Sequence, residues 1–187
     1  MIIAVVGMPG SGKSTVSEYL KGKGFGFVKF GQITLDEIKK RGLEPTEENE
    51  KTVREEIRKK HGPAAYAILI MQKVDELIKK GNVVADGLYS WIEYLEFKKK
   101  YGNQLVILAV YAPPKLRYER LTKRSSDYPD VGNRKFDEET IKKRDHAEIE
   151  NLNKGGPIAM ADFTIVNAGE KEDLLAQVDK IIKEVAK

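Results

Sequence analysis

The chain has 187 residues, 41% hydrophobic and 33% charged, against roughly 25% charged in an average domain. One domain is expected at this length, and the composition excludes a disordered chain, a collagen-like repeat and a membrane span. No cysteine is present and only two histidines, which excludes a disulfide framework and a thiolate metal site and leaves too few ligands for a multi-histidine zinc site.

Apolar strands alternate along the chain with capped helices, the pattern of a parallel sheet covered by helices. Strands are expected at 2–6, 25–30, 83–86, 105–111 and 163–166, mostly rich in Val, Ile and Phe as suits a sheet buried on both faces. Residues 1–6 lack a basic leader and run straight into a glycine loop. They read as a buried strand rather than a signal peptide, and a cytoplasmic protein is expected. Thr34-Leu35-Asp36-Glu37 and Ser90-Trp91-Ile92-Glu93 both read as capping boxes. Each helix that follows ends in lysines or arginine before a glycine, Gly42 or Gly102. Thr46 starts a further helix reaching about Lys60, Pro63 opens one reaching Lys80, and Pro113-Pro114 open one carrying Arg117, Arg120 and Arg124. The last helix puts Leu174, Val178, Ile181, Ile182 and Val185 on one stripe. Two stretches break the alternation: 33–80 holds about three helices, and 125–156 holds a polar loop, a charged helix and a Gly-Gly pair. Excursions of this length serve as binding elements and lids.

Gly7-Met8-Pro9-Gly10-Ser11-Gly12-Lys13-Ser14-Thr15 fits G-x-x-x-x-G-K-[ST] at every fixed position, after an apolar strand and before a helix. Glycines allow the backbone to turn successive N–H groups inward as an anion nest, and the helix N-terminus adds its positive end. Lys13 is expected on the β and γ phosphates of a nucleotide and the Ser14 hydroxyl on Mg²⁺. Thr15 is expected to bond an α-phosphate or cap the helix. Asp86 closes Asn82-Val83-Val84-Ala85-Asp86-Gly87 and reads as the second Mg²⁺ group, with a turn aspartate as the alternative.

Phosphoryl transfer needs positive charge at oxygens that become more negative. Arg120 and Arg124 share a helix face and Arg144 lies on the next helix, placing arginines at both roots of a polar lid at about 125–136. Arg117 and Arg134 read equally well as surface partners of Glu119, Glu138 or Glu139. In the 33–80 insertion Asp36, Arg41, Arg54 and Arg58 are candidates for an acceptor site, although each alone also fits a solvated helix. Asn167 and Gly169 follow the last strand at the edge where nucleotides bind, and their backbone is a candidate for an adenine contact. His61 and His146 read as surface or capping residues. The net charge of +4 is spread over lysines interleaved with acids, as in 51–60. This is a mixed, solvated surface, so nucleic acid is not the expected partner.

The phosphate loop, the Val-Val-Ala-Asp-Gly segment, Arg120-Leu121-Thr122-Lys123-Arg124 and the tail from Ala161 to Gly169 together resemble the adenylate-kinase-related P-loop kinases, and most closely their archaeal branch. The tail and the arginine run are also similar to dephospho-coenzyme A kinases. The resemblance spans nearly the whole chain. It implies a three-layer α/β P-loop NTPase fold with five parallel strands, an acceptor-binding insertion after the second strand and a lid after the fourth. It also implies ATP with Mg²⁺ as donor and AMP or a related monophosphate as acceptor. The chain departs from adenylate kinases at Gly31-Gln32, where they carry Gly-Asp and a nearby Arg, and at Leu88-Tyr89, where they carry an Arg. Those departures keep open a second reading, an ATPase or switch working with a protein or RNA partner. A GTPase is disfavoured, because Asn153-Lys154-Gly155-Gly156 lacks the final acid of a guanine reader.

Overall fold

Strand β1 (Ile2–Val6) has no solvent-facing side: all five of its residues are buried. Its odd and even positions go to different cores. Ile2, Ala4 and Val6 join one cluster and Ile3 and Val5 the other, as the period of two in an extended chain requires. A strand buried on both faces belongs at the centre of a parallel sheet. The computed structural model, which describes residues 1–127 and 138–185, places it there. With β2 (Gly26–Lys29), β3 (Val83–Asp86), β4 (Leu105–Tyr111) and β5 (Phe163–Val166), the order is β2-β3-β1-β4-β5 and every pairing is parallel. Val5 is in register with Asp86, and Tyr111 with Val166. The strands thus deliver their carboxyl ends, and the loops beyond them, to one edge of the sheet.

One face is covered by α1 (Lys13–Gly22) and α9 (Lys171–Val185), whose Val16, Leu20, Leu174, Val178 and Ile181 pack on Ile3, Val84, Leu108 and Ile165. The other face carries α2 (Gln32–Lys40), α3 (Glu47–His61), α4 (Ala65–Ile78) and α5 (Trp91–Tyr101), around a core that includes Phe30 and Phe97 with ring centroids 5.4 Å apart. Three helices therefore fill the connection between β2 and β3. After β4 come α6 (Pro114–Asp127), α7 (Glu138–Leu152) and the short α8 (Gly155–Ala159).

Local signals locate most helix starts. Ser90 accepts from the Glu93 amide at 3.2 Å while Glu93 accepts from the Ser90 amide at 3.0 Å, a complete capping box. Thr46 accepts from the Asn49 amide at 3.2 Å. Thr34 does not cap: α2 starts earlier, after Gly31, and Thr34 lies inside it with its hydroxyl paired to Tyr66 Oη at 2.7 Å in the core. The hydroxyl that the local pattern offered to a helix end is taken by a partner on α4.

Candidate functional site

The loop between β1 and α1 turns through Gly7, Gly10 and Gly12, with φ of 144°, 77° and 104°. It is also packed closely from behind. A Cβ on Gly7 would lie 2.4 Å from the Val110 carbonyl oxygen, one on Gly10 2.7 Å from that of Arg117, and one on Gly12 2.2 Å from Asn167 Nδ2. In front, the backbone N–H groups of Gly12, Lys13 and Ser14 find no acceptor among the described residues, and Ser11 Oγ is buried without a partner. Unsatisfied donors at a helix N-terminus, with the helix dipole behind them, form an anion site. Lys13 folds over the loop, its ammonium donating to the Met8 carbonyl at 3.1 Å.

Asp86 reaches the same place from the end of β3. It is buried, and Ser14 Oγ stands 3.5 Å from its Oδ2. Burial pushes the Asp86 carboxyl above its usual range, and the Lys13 ammonium pulls it partly back. A hydroxyl and a carboxylate at this spacing fit Mg²⁺, a hard cation that takes one or two protein oxygens and completes its shell with water and phosphate. Lys13 is lowered to about 7, first by burial and then by the nearby Lys154 ammonium, against the pull of Asp86 and Glu148.

Arginines on α6 hold the loop from the other side. Arg117 is no surface residue. It is buried, donating to the Pro9 carbonyl at 2.9 Å, to the Ala112 carbonyl at 3.2 Å and to Asp145 of α7 at 2.5 Å. It therefore ties the phosphate loop, the end of β4 and α7 together, and the surface pairing with a glutamate is corrected. Arg120 donates to the Asn167 backbone oxygen at 3.1 Å and to its Oδ1 at 3.3 Å, and Asn167 Nδ2 donates to the Ser11 carbonyl at 2.7 Å. Arg120 and Asn167 thus brace the loop from β5, beside Gly169. The side chain of Arg124, all of Arg134 and most of the 125–136 segment lie outside the described residues.

Arg144 of α7 donates to Glu148 at 3.1 Å, and the other oxygen of Glu148 takes the buried Lys154 ammonium. Lys154 also lies over the Tyr89 ring, 4.9 Å from its centroid. Glu148 and Lys154 stand at the site although the sequence did not mark them as site residues, and Tyr89, noted there only as a departure from adenylate kinases, stands with them. Lys154 sits in a stretch that reads as a turn, and Glu148 looks like any acid of a charged helix.

The acceptor candidates are more dispersed. Asp36 is exposed and accepts from Gln32 at 2.8 Å. Arg41 is held by Glu37 at 2.8 Å and Glu56 at 2.5 Å, on the wall of a groove of about 670 Å³ between α2, α3 and α4. Arg54 pairs with Glu50 at 3.2 Å. Arg58 lies over the Tyr66 ring, 5.1 Å from its centroid, where its charge acts on the buried Glu93. His61 and His146 are exposed. Among the described residues no three His, Cys, Asp or Glu side chains form a metal cluster, and no helix is long and apolar enough to cross a membrane.

A glycine-rich loop between the central strand and its helix, with an acid at the end of the adjoining strand, defines a P-loop fold of the kinase type. In keeping with this, the fold is similar to that of a shikimate kinase from Acinetobacter baumannii in complex with shikimate, with TM-score 0.57 at 22% identity over 98% of this chain and 93% of that one. It is also similar to a gluconokinase from Sinorhizobium meliloti, with TM-score 0.58 at 15% identity over 98% and 94%. The chain belongs to the AAA domain family (AAA_18), whose model matches residues 3–143, and to the UPF0200 proteins. It is 36% identical over 188 residues to the UPF0200 protein of Pyrococcus horikoshii, covering 99% of this chain and 97% of that protein. It is 38% identical over 189 residues to a UPF0200/UPF0201 protein of Archaeoglobus fulgidus, spanning all of this chain but 56% of that longer protein.

Proposed function

We propose that the chain is an ATP- and Mg²⁺-dependent phosphotransferase acting on a small nucleotide-like acceptor, AMP or a related monophosphate. The observation that carries this reading is the set of unsatisfied amides of Gly12, Lys13 and Ser14, closed in by the Lys13 ammonium and the Ser14–Asp86 pair. The loop from Gly7 to Thr15 wraps the polyphosphate, and Lys13 bridges its β and γ groups. Ser14 Oγ and Asp86 would hold Mg²⁺, which would supply positive charge to those groups. Asn167 and Gly169 form the base side, while Arg120, a candidate for charge on the phosphates, is engaged in bracing Asn167. Arg144, held on α7 by Glu148, is the candidate among the described arginines to meet the triphosphate, and the 33–80 insertion receives the acceptor.

An acceptor oxygen attacks the γ-phosphorus in line, the bond from that phosphorus to the β–γ bridging oxygen breaks, and ADP leaves with the electron pair. Nothing here needs a covalent intermediate, so the protein supplies position and preorganised charge. Among the acceptor candidates Arg58, stacked on Tyr66 beside Glu93, is the best placed to meet an anion. Adenylate-kinase-like chemistry would have to proceed with Tyr89 where adenylate kinases carry an arginine.

The test is a screen of AMP, other monophosphates and dephospho-coenzyme A with labelled ATP–Mg²⁺. Transfer to one of them is expected, with Lys13→Ala lowering kcat on the order of 10²-fold or more. Full turnover in Lys13→Ala would overturn the assignment. The existing pairs Arg41–Glu37, Arg41–Glu56 and Arg54–Glu50 favour a second reading, an ATPase or switch with a protein or RNA partner. Label released only to water, and faster with such a partner, would select it.

A further inference from the structure

Lys154 is placed by the fold with unusual care for a lysine. The chain reverses between α7 and α8 on Asn153, the one non-glycine residue with positive φ (49°) among those described. Gly156 then seats α8 directly on α5, since a Cβ there would lie 2.6 Å from the Trp91 ring. Tyr89 is fixed in turn over Gly87, where a Cβ would lie 2.8 Å from the phenol oxygen. The Lys154 side chain, 2% exposed, is thereby carried to the end of β3, onto the Tyr89 ring and against Glu148. A surface lysine keeps its ammonium in water, and burying one is costly unless something at the site requires the charge.

The local charges show what would require it. Glu148 is a single carboxylate shared by two cations, Arg144 and Lys154. Among the described residues, Lys13 feels the charges of Lys154, Arg144, Asp86 and Glu148 together, and Lys154 feels those of Glu148, Arg144 and Asp145. Lys154 is held below the usual lysine range by burial and then by Arg144, against the pull of its Glu148 partner, and Lys13 is depressed by burial and then by Lys154.

We infer that Lys154 is a second phosphoryl-binding ammonium beside Lys13, which exchanges Glu148 for the γ-phosphoryl group, and that Glu148 is the positioning residue that brings it there. This rests on the reading of the loop as a triphosphate site. An ammonium on the γ-phosphoryl group distinguishes ATP from ADP, whereas a merely structural lysine does not.

The experiment is calorimetric titration of the full chain with ATP–Mg²⁺ and with ADP–Mg²⁺, alongside a thermal melt. Lys154→Met is expected to weaken ATP about 10-fold or more, the usual size of a charge-assisted hydrogen bond, and to leave ADP within about twofold. Lys154→Arg is expected to recover most of the loss. Glu148→Gln is expected to bind ATP several-fold more tightly, because its carboxylate no longer competes for the two cations. If Lys154→Met does not fold, the double variant Lys154→Met/Glu148→Gln removes the carboxylate left to Arg144 alone and should lose ATP selectively relative to Glu148→Gln. Equal losses for ATP and ADP, no loss, or unchanged or weaker ATP binding in Glu148→Gln would overturn the inference. A wild-type chain that binds neither nucleotide would instead overturn the triphosphate reading beneath it.

Discussion

Lys13 was legible from spacing alone, but its charge state was not. Burial and Lys154 together bring it to about 7, so near pH 8 much of it is neutral. Bound phosphates favour the charged form and raise that value. The complex then holds more protons than the free chain between pH 7 and the raised value, so affinity for ATP falls as pH rises through this window. At pH 8 uptake approaching one proton per ATP is expected, read from binding heats in two buffers of different ionisation enthalpy. Identical heats would show that Lys13 is already charged. Lys154 carried no such signal, because Asn153 and Gly155 on either side suggest only a turn, and the ring and carboxylate that receive it come from distant parts of the chain.

Among the elements, α6 and α7 are joined by a brace that sequence patterns do not reveal. Arg117 and Asp145 meet at 2.5 Å with both side chains almost fully buried, and Tyr118 Oη adds a bond to Asp145 at 3.2 Å. Asp145→Ala leaves the Arg117 guanidinium buried without its counter-ion, which is expected to cost about 3–5 kcal/mol. The melting temperature checks this, and a double variant of Arg117→Met and Asp145→Leu should recover part of the loss. Loosening the Pro9 contact should also weaken nucleotide binding, since Arg117 holds that carbonyl. The same contrast separates Ser90 from Thr34. Ser90 caps as its pattern says because nothing else claims its hydroxyl, while Thr34 carries the same pattern and is taken by Tyr66 across the core. Short-range chemistry thus located the strands, the phosphate loop and most helix starts. The brace, the Glu148–Lys154 pair and the true start of α2 depend on contacts between distant segments.

At the scale of the molecule, the sheet is shared by two cores and neither can be lost alone. Leu108 is fully buried on the α1–α9 face, so Leu108→Ala is expected to cost about 2–5 kcal/mol. Trp91, the single tryptophan, packs against the opposite core. Its fluorescence and the far-ultraviolet circular dichroism should nevertheless shift together in urea, as one transition, and separated midpoints would show independent faces. The strand order has a consequence for synthesis on the ribosome. β1 is made before either neighbour, yet it pairs with β3 on one side and β4 on the other. A nascent chain therefore carries Ile2-Ile3-Ala4-Val5-Val6 without a strand partner until β3 emerges, and with its other edge open until residues beyond 105 have emerged. An apolar strand destined for the centre of the sheet thus spends the early part of translation with open edges, the kind of exposed surface on which growing chains aggregate.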